Sequence, residues 1–168
     1  PLLNIVLGLG VALALSGCQE VVTDQYEAVA VTTYTWQADY QPQGVTPDRP
    51  REGRLETFET NALVNMNGQP TVEPTGEQDA NGIWWPALPP KPTVAELEAR
   101  QKAGEVYSEP QIQQSVDYRL TFDQAGETVT LPTNAGVYRE AVKAYDQGRS
   151  LKLLLGAQDA YVQKADMQ

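Results

Sequence analysis

The chain of 168 residues has no histidine and a single cysteine, Cys18. The absence of histidine excludes a histidine-based catalytic triad and any zinc, haem or copper site with a histidine ligand. A single cysteine excludes an internal disulfide, a CxxC redox pair and a cysteine cluster that binds a metal. These absences favour a binding or structural protein over an enzyme, and we predict neither a metal nor a dissociable cofactor.

Basic residues are scarce, since 12 Lys and Arg stand against 22 Asp and Glu and the net charge is −10. Nucleic-acid binding requires clustered Lys and Arg that neutralise phosphates, so we predict no nucleic-acid partner. The acidic charge implies good solubility of the domain and repulsion from anionic lipid headgroups.

Long apolar runs are also absent after the first 17 residues. Residues 1–17 contain 11 apolar residues and no charged residue. This run is shorter than the ~20 residues of a membrane-spanning helix and matches the apolar region of a secretory signal peptide. We therefore predict that residues 1–17 are a signal peptide. Because such peptides begin with Met and a basic residue, we expect further residues before Pro1.

The end of this run is Leu15-Ser16-Gly17-Cys18, which resembles the lipobox of bacterial lipoproteins. The resemblance implies that a signal peptidase recognises Leu15, Ser16 and Gly17 and cleaves before Cys18. The thiol of Cys18 then carries a diacylglycerol, and its freed amine is acylated, for example with palmitate. Two or more acyl chains anchor a protein stably, so the membrane becomes a partner through this covalent lipid. The alternative is a buried hydrophobic helix with a chance cysteine.

Gln19 follows the cysteine. Lipoproteins that stay in the inner membrane of many Gram-negative bacteria resemble one another in carrying Asp at this position. By this resemblance, the lipobox implies a cell-envelope protein, and Gln19 favours the outer membrane facing the periplasm.

The remaining residues predict an α+β fold with a small antiparallel β-sheet, either sandwich- or barrel-like, one or two short helices and long Pro- and Gly-rich loops. We expect a tether at residues 18–25 and a single β-rich domain at 26–168.

Residues 26–36 are rich in Val, Thr and aromatic residues, which favours a strand. Six side chains of this strand share one face: Tyr26, Ala28, Ala30, Thr32, Tyr34 and Trp36. Pro and Gly predict a loop at 37–54, a strand follows at 55–66, and a second loop covers 69–92.

The C-terminal half gives clearer local patterns. Thr93 and Glu96 form a capping box that predicts a helix over 94–103, with Val94 and Leu97 as its apolar contacts. Residues 116–122 alternate strictly and return through a turn, which predicts a hairpin. A second helix is predicted from Asn134 to Gly148, followed by a final hairpin over residues 150–164. The apolar stripe that we expect on this second helix consists of Tyr138, Ala141, Val142 and Tyr145.

The most unusual patch is Trp84-Trp85-Pro86, next to the proline-rich residues 86–92. Adjacent residues of an extended segment point in opposite directions, so one Trp can be buried while the other is exposed. Trp84 and Trp85, together with Trp36, are candidates for binding a carbohydrate or a protein partner. The alternative is that the two adjacent Trp residues only pin a long loop onto the sheet.

Acidic residues supply the remaining candidate chemistry. A pair of nearby carboxylates can hydrolyse glycosides, but the sequence does not show that any two converge. The acidic residues considered are Glu56, Glu59, Glu73, Glu77, Asp79, Glu105 and Glu109. The segment 79–82 is similar to part of a calcium-binding loop, but its glycine and its later oxygen ligands are misplaced, so we predict a turn.

These observations predict a membrane-anchored envelope lipoprotein with a structural or protein-binding accessory role. The alternative function is the binding of a small molecule or glycan in an aromatic pocket.

Overall fold

The computed structural model describes residues 19–44 and 53–168. The predicted signal peptide, including Leu15, Ser16, Gly17 and Cys18, lies outside the described residues, as does part of the predicted loop at 37–54. The described elements, in chain order, are β1 Glu20–Thr23, β2 Tyr26–Pro42, β3 Arg54–Met66, β4 Gln69–Pro70, α1 Val94–Arg100, β5 Glu105–Tyr107, β6 Gln111–Gln124, β7 Glu127–Pro132, α2 Ala135–Asp146, β8 Leu151–Leu155, a 3₁₀ turn Ala157–Asp159, and β9 Val162–Met167.

All strand pairs are antiparallel and form two sheets. The large sheet has the order β4-β3-β2-β6-β7, and β5 continues beside the end of β2. The small sheet has the order β1-β8-β9. The predicted α+β class with antiparallel sheets and two short helices is confirmed, and the sheets are not closed into a barrel.

Strand β2 is the centre of the large sheet, and its 17 residues pair with β3 on one side and with β6 and β5 on the other. Its even-numbered residues from 26 to 40 share one face, which we name the inner face. This confirms the predicted shared face from Tyr26 to Trp36. The strand continues to Pro42, beyond the predicted end, because β3 and β5 supply hydrogen-bond partners for residues that the sequence assigns to a loop.

The main core joins one end of the inner face, α2 and the small sheet. Ala28 and Ala30 are small, which leaves room for the helix to approach β2 closely. Asn134 caps α2 by accepting a hydrogen bond from the backbone N–H of Val137 at 3.1 Å, and Gly148 follows the helix with a φ of 61°. Completely buried side chains of this core include Leu120, Phe122, Leu151, Leu153, Leu155 and Val162.

The opposite end of β2 carries a smaller cluster, in which Ala38, Tyr40 and Leu97 are buried. Charged groups surround it. Arg54 donates from Nε and Nη2 to the two carboxylate oxygens of Glu105, at 3.0 and 2.8 Å. The guanidinium of Arg54 lies 4.4 Å from the ring centroid of Tyr40, whose hydroxyl donates to the carbonyl of Leu97. This end therefore depends on charge and hydrogen bonding more than the main core does.

Two predicted helix contacts are wrong. Val94 is 61% exposed, so Leu97 is the only residue of α1 that is buried. Tyr145 is 54% exposed, and the buried stripe of α2 consists of Val137, Tyr138, Ala141 and Ala144. The stripe is rotated relative to the prediction because α2 fits small alanines against the sheets and leaves the bulky Tyr145 ring outside.

The strand β1 lies inside the segment that the sequence assigns to a tether. Val21 and Thr23 are buried, and Glu20–Thr23 pair with Leu151–Leu154 of β8. Part of the expected tether is therefore built into the small sheet. Among residues 19–44 and 53–168, no helix is long and apolar enough to cross a membrane.

Candidate functional site

The loop between β4 and α1 crosses the inner face at the middle of β2. Asn65, which is completely buried, holds the backbone of Trp84 on both sides, because its Oδ1 accepts from Trp84 N at 2.9 Å and its Nδ2 donates to Trp84 O at 3.0 Å. The hydroxyl of buried Thr32 donates to the same carbonyl at 2.8 Å. Ile83 enters the main core. The loop is therefore fixed to the sheet by its own backbone.

Indole groups add two more attachments for this loop. Trp36 Nε1 donates to the carbonyl oxygen of Pro89 at 2.8 Å, and Trp85 Nε1 donates to Asp79 Oδ2 at 3.1 Å. The buried Nε1 of Trp84 has no hydrogen-bond partner among the described residues. The Trp36 bond joins the loop to β2, whereas the Trp85 bond joins two residues of the loop itself.

Asp79 organises the turn at 79–82. Its Oδ1 accepts from the backbone N–H groups of Asn81 at 2.8 Å and Ile83 at 3.0 Å. Burial raises the pKa of the Asp79 carboxyl, but the hydrogen bonds from Ile83, Trp85 and Asn81 outweigh burial and the pKa is lowered. The carboxylate therefore stays charged and serves the turn that we predicted, in which Gly82 has a φ of 78°.

Between this loop and β6 lies a cavity of about 540 Å³, which we name the cleft. Its aromatic wall is Trp85, whose ring packs against the ring of Tyr34 with centroids 4.9 Å apart and the two planes tilted by 34°. Gly76 lines the cleft where the loop folds back on itself, and a Cβ at this position would lie 2.3 Å from the carbonyl oxygen of Trp85. The other lining residues are Thr75, Glu77, Gln78, Asp79, Pro86, Ala87, Leu88 and Gln114.

The charged groups that line the cleft are all carboxylates, those of Glu77 and Asp79. The side chain of Glu77 makes no hydrogen bond or ion pair with any residue that the structure describes, whereas both oxygens of Asp79 accept hydrogen bonds. An acidic cavity with an aromatic wall is suited to a cation, because carboxylates attract it and the ring faces stabilise it. The other acidic residues that the sequence analysis considered do not line the cleft.

The three candidate Trp residues do not meet in one pocket. Trp85 lines the cleft, whereas Trp36 lies beside Lys91, with Nζ 5.9 Å from the ring centroid, and Trp84 is outside the lining. Sequence reasoning missed Tyr34, Glu77 and Gln114 as neighbours of Trp85. The alternation of β2 places Tyr34 on the inner face, but its partners come from distant segments whose contacts have no local pattern.

The edge of β6 next to the cleft is open. Asp123 N donates to Gln25 O, so the odd-numbered residues of β6 direct their backbone groups towards β2. Thr133 N donates to Tyr118 O, so the even-numbered residues direct theirs away from β2, towards β7. Strand β7 ends opposite Arg119. In the part of the chain that the structure describes, the outward N–H and C=O groups of Ile112, Gln114 and Val116 have no hydrogen-bond partner.

The described residues contain no group of three or more Cys, Asp or Glu side chains that could hold a metal ion. No protein-family model matches the chain, no curated protein matches it, and no solved structure matches its fold.

Proposed function

We propose that this chain is a lipid-anchored accessory protein of the bacterial envelope, which binds a protein partner through the cleft. The anchor rests on the resemblance of Leu15-Ser16-Gly17-Cys18 to a lipobox. The position of β1 supports a close attachment, because Gln19 O accepts a hydrogen bond from Leu155 N and the strand begins at Glu20. One intervening residue spans at most roughly 3.6 Å, so a lipid on Cys18 would hold the small sheet at the membrane surface. By the resemblance at Gln19, that membrane is the outer membrane, with the domain facing the periplasm.

The observation that carries the binding role is the construction of the cleft. A small molecule is normally enclosed over most of its surface by its pocket. The cleft is instead a surface depression, because many of its lining residues are exposed: Thr75, Glu77, Gln78, Leu88 and Gln114. A partner that also contacts the surrounding surface gains more from such a depression than a small ligand does. This favours a protein partner.

The second candidate function is glycan or small-molecule binding by the same cleft. The aromatic pair of Trp85 and Tyr34 favours it, since an aromatic surface lies beside polar side chains. Under this function, sugars or cell-wall fragments would quench the fluorescence of Trp85, and a Trp85→Phe variant would lose that part of the signal.

The test is site-specific photo-crosslinking of the lipidated chain in living cells of the source bacterium. A photoreactive residue replaces Leu88, which is 60% exposed at the cleft, and a matched control replaces Tyr145, which is 54% exposed on α2. We expect one stoichiometric protein partner from position 88 and none from position 145. A Cys18→Ala variant should incorporate no labelled palmitate and should lose the crosslink.

A partner captured equally from both positions would contradict a role for the cleft. Absence of a protein partner, together with quenching of Trp fluorescence by cell-wall fragments, would favour the glycan function. A Cys18→Ala variant that keeps its function as a soluble mature form, or that still incorporates labelled palmitate, would contradict the lipid anchor.

A further inference from the structure

We propose that the open edge of β6 takes an extended segment of the protein partner as an additional strand, and that a Lys or Arg of this segment enters the cleft. This inference rests on the proposed function and specifies the chemistry of the partner. Strand addition uses backbone hydrogen bonds for affinity and alternate side chains for specificity.

The backbone of β6 provides the hydrogen-bonding part of the site. Residues 111–117 form an unpaired edge that is roughly 20 Å long at about 3.4 Å per residue. Along it, Ile112, Gln114 and Val116 present N–H and C=O groups away from β2. Proteins usually shield so long an edge with charge, proline or a covering element, because it pairs readily with other strands. Here Gln111, Gln113, Gln114 and Ser115 are exposed, which leaves the edge accessible.

The cleft provides the side-chain part of the site. The side chains of Ile112, Gln114 and Val116 lie on the inner face, since their partners on β2 are Trp36, Tyr34 and Thr32. In an added strand, the residue opposite Gln114 that shares this face would lie about 5 Å from it and point towards the cleft. There it would meet the ring of Trp85 and the carboxylate of Glu77. These groups complement a Lys or Arg side chain.

A second copy of this chain fits the edge less well. The net charge of −10 opposes self-association. An antiparallel pair of β6 strands centred on Gln114 would place Gln114 opposite Gln114 of the second copy and Ile112 opposite its Val116, so no cation would reach the cleft. A basic segment of another protein is therefore the occupant that the charges favour.

The test uses the full-length lipidated chain in detergent micelles and a fluorescein-labelled heptapeptide, Thr-Val-Thr-Arg-Thr-Val-Thr. Its two Val residues and its Arg share one face, so they can lie beside Ile112, Val116 and Gln114. We expect this peptide to bind about tenfold more tightly than the same peptide with Glu in place of Arg, since the Glu side chain would meet the carboxylate of Glu77. A Glu77→Gln variant should reduce that difference.

A matched pair of variants separates the backbone of Gln114 from its side chain. Gln114→Pro removes an N–H that points away from β2, and proline is tolerated on an edge strand at such a position. Gln114→Thr changes the side chain and keeps the N–H. We expect Gln114→Pro to weaken binding by about tenfold and Gln114→Thr to bind within about threefold of the native chain, because only the proline removes a backbone hydrogen bond.

A second measurement keeps the test valid if Gln114→Pro fails to fold. Methylation of the backbone nitrogens of the two Val residues in the peptide should abolish binding to the native chain. Absence of binding by the Arg peptide, equal binding by its N-methylated form, or equal weakening by both variants at position 114 would overturn the proposal. A native dimer that Gln114→Pro converts to a monomer in sedimentation would also overturn it and assign the edge to a second copy.

Failure of this inference differs from failure of the proposed function. If crosslinking at position 88 captures a partner that the Gln114→Pro chain still binds, the accessory role stands and strand addition is wrong. If no partner is captured while the Arg peptide binds as expected, the edge of β6 can bind an added strand, and the proposed accessory role is wrong.

Discussion

The two ends of β2 are covered by helices in different ways. At one end, α2 and the small sheet form a core whose buried side chains are almost all apolar. At the other end, α1 contributes one buried side chain, Leu97, and ion pairs surround the cluster around Tyr40. The cleft lies between these ends, where a loop replaces a helix over Tyr34. One strand thus passes from an apolar core to a polar cluster, and this difference predicts how each end responds to mutation, pH and salt.

The largest expected effect is at the α2 end. Leu153 is completely buried in the main core, so Leu153→Ala should lower the free energy of unfolding by about 2–5 kcal/mol through lost burial and the cavity that remains. Chemical denaturation followed by circular dichroism measures it. The control is Leu55→Ala, because Leu55 is 55% exposed and its loss should change stability by less than about 0.5 kcal/mol. Equal effects of the two variants would contradict the assignment of the core.

Removal of a helix N-cap should have an intermediate effect on stability. Each end of β2 is covered by a helix with such a cap, so the two ends can be compared through the same type of hydrogen bond. Thr93 Oγ1 accepts from Glu96 N at 3.3 Å, and Asn134 Oδ1 accepts from Val137 N at 3.1 Å. Each change to Ala should cost about 1 kcal/mol. Because α1 is held by one buried side chain, we expect Thr93→Ala to speed amide exchange within α1 only. Asn134→Ala should instead lower global stability. Faster amide exchange in β8 of the Thr93→Ala variant would contradict this difference between the two helices.

The smallest expected effect is a pH dependence of the α1 end. The hydrogen bonds from Arg54 and from the backbone of Lys102 lower the pKa of the Glu105 carboxyl from 4.5 to about 2. A carboxyl with a lowered pKa in the folded state stabilises the fold above its unfolded pKa, and this contribution is lost as the pH falls. We therefore expect α1 and β5 to lose stability between about pH 5 and pH 2.

The matched variant for this prediction is Glu105→Gln. The difference in stability between the native chain and Glu105→Gln should shrink as the pH falls through this range, and it should also shrink in high salt because the groups are near the surface. Amide exchange in α1 at several pH values measures it. A difference that is constant from pH 6 to pH 2 would show that Glu105 is not held as a charged partner of Arg54.

The sequence predicts the local parts of this fold well. The alternation from Val116 to Phe122 and the caps at Thr93 and Asn134 identify elements whose stabilising contacts lie within a few residues. The extension of β2 to Pro42 and the short strand β5 are missed, since prolines and glycines there favour a loop and only pairing between distant segments makes them strands.

The same limit applies to the cleft. The sequence identifies Trp85 as a candidate because tryptophan is rare in the chain and because Trp85 lies between Trp84 and Pro86. Its contact with Tyr34 and its proximity to Gln114 depend on how the loop folds back over β2, and no periodic pattern encodes that path. The open edge is missed for a related reason. The sequence predicts this strand only over residues 116–122, paired with the strand that follows the turn. In the structure β6 begins at Gln111, whereas β7 stops at the turn into α2, so residues 111–115 extend past the end of β7.

The most direct test of the docking edge is residue-resolved amide hydrogen exchange of the full-length lipidated chain in micelles, with and without the Arg heptapeptide. In the free chain, the amides of Ile112 and Gln114 should exchange at least about a hundredfold faster than those of Gln113 and Ser115, whose N–H groups point towards β2. Bound peptide should protect Ile112 and Gln114 and leave Gln113 and Ser115 unchanged. Slow exchange at Ile112 and Gln114 in the free chain, or no added protection with peptide bound, would contradict the account.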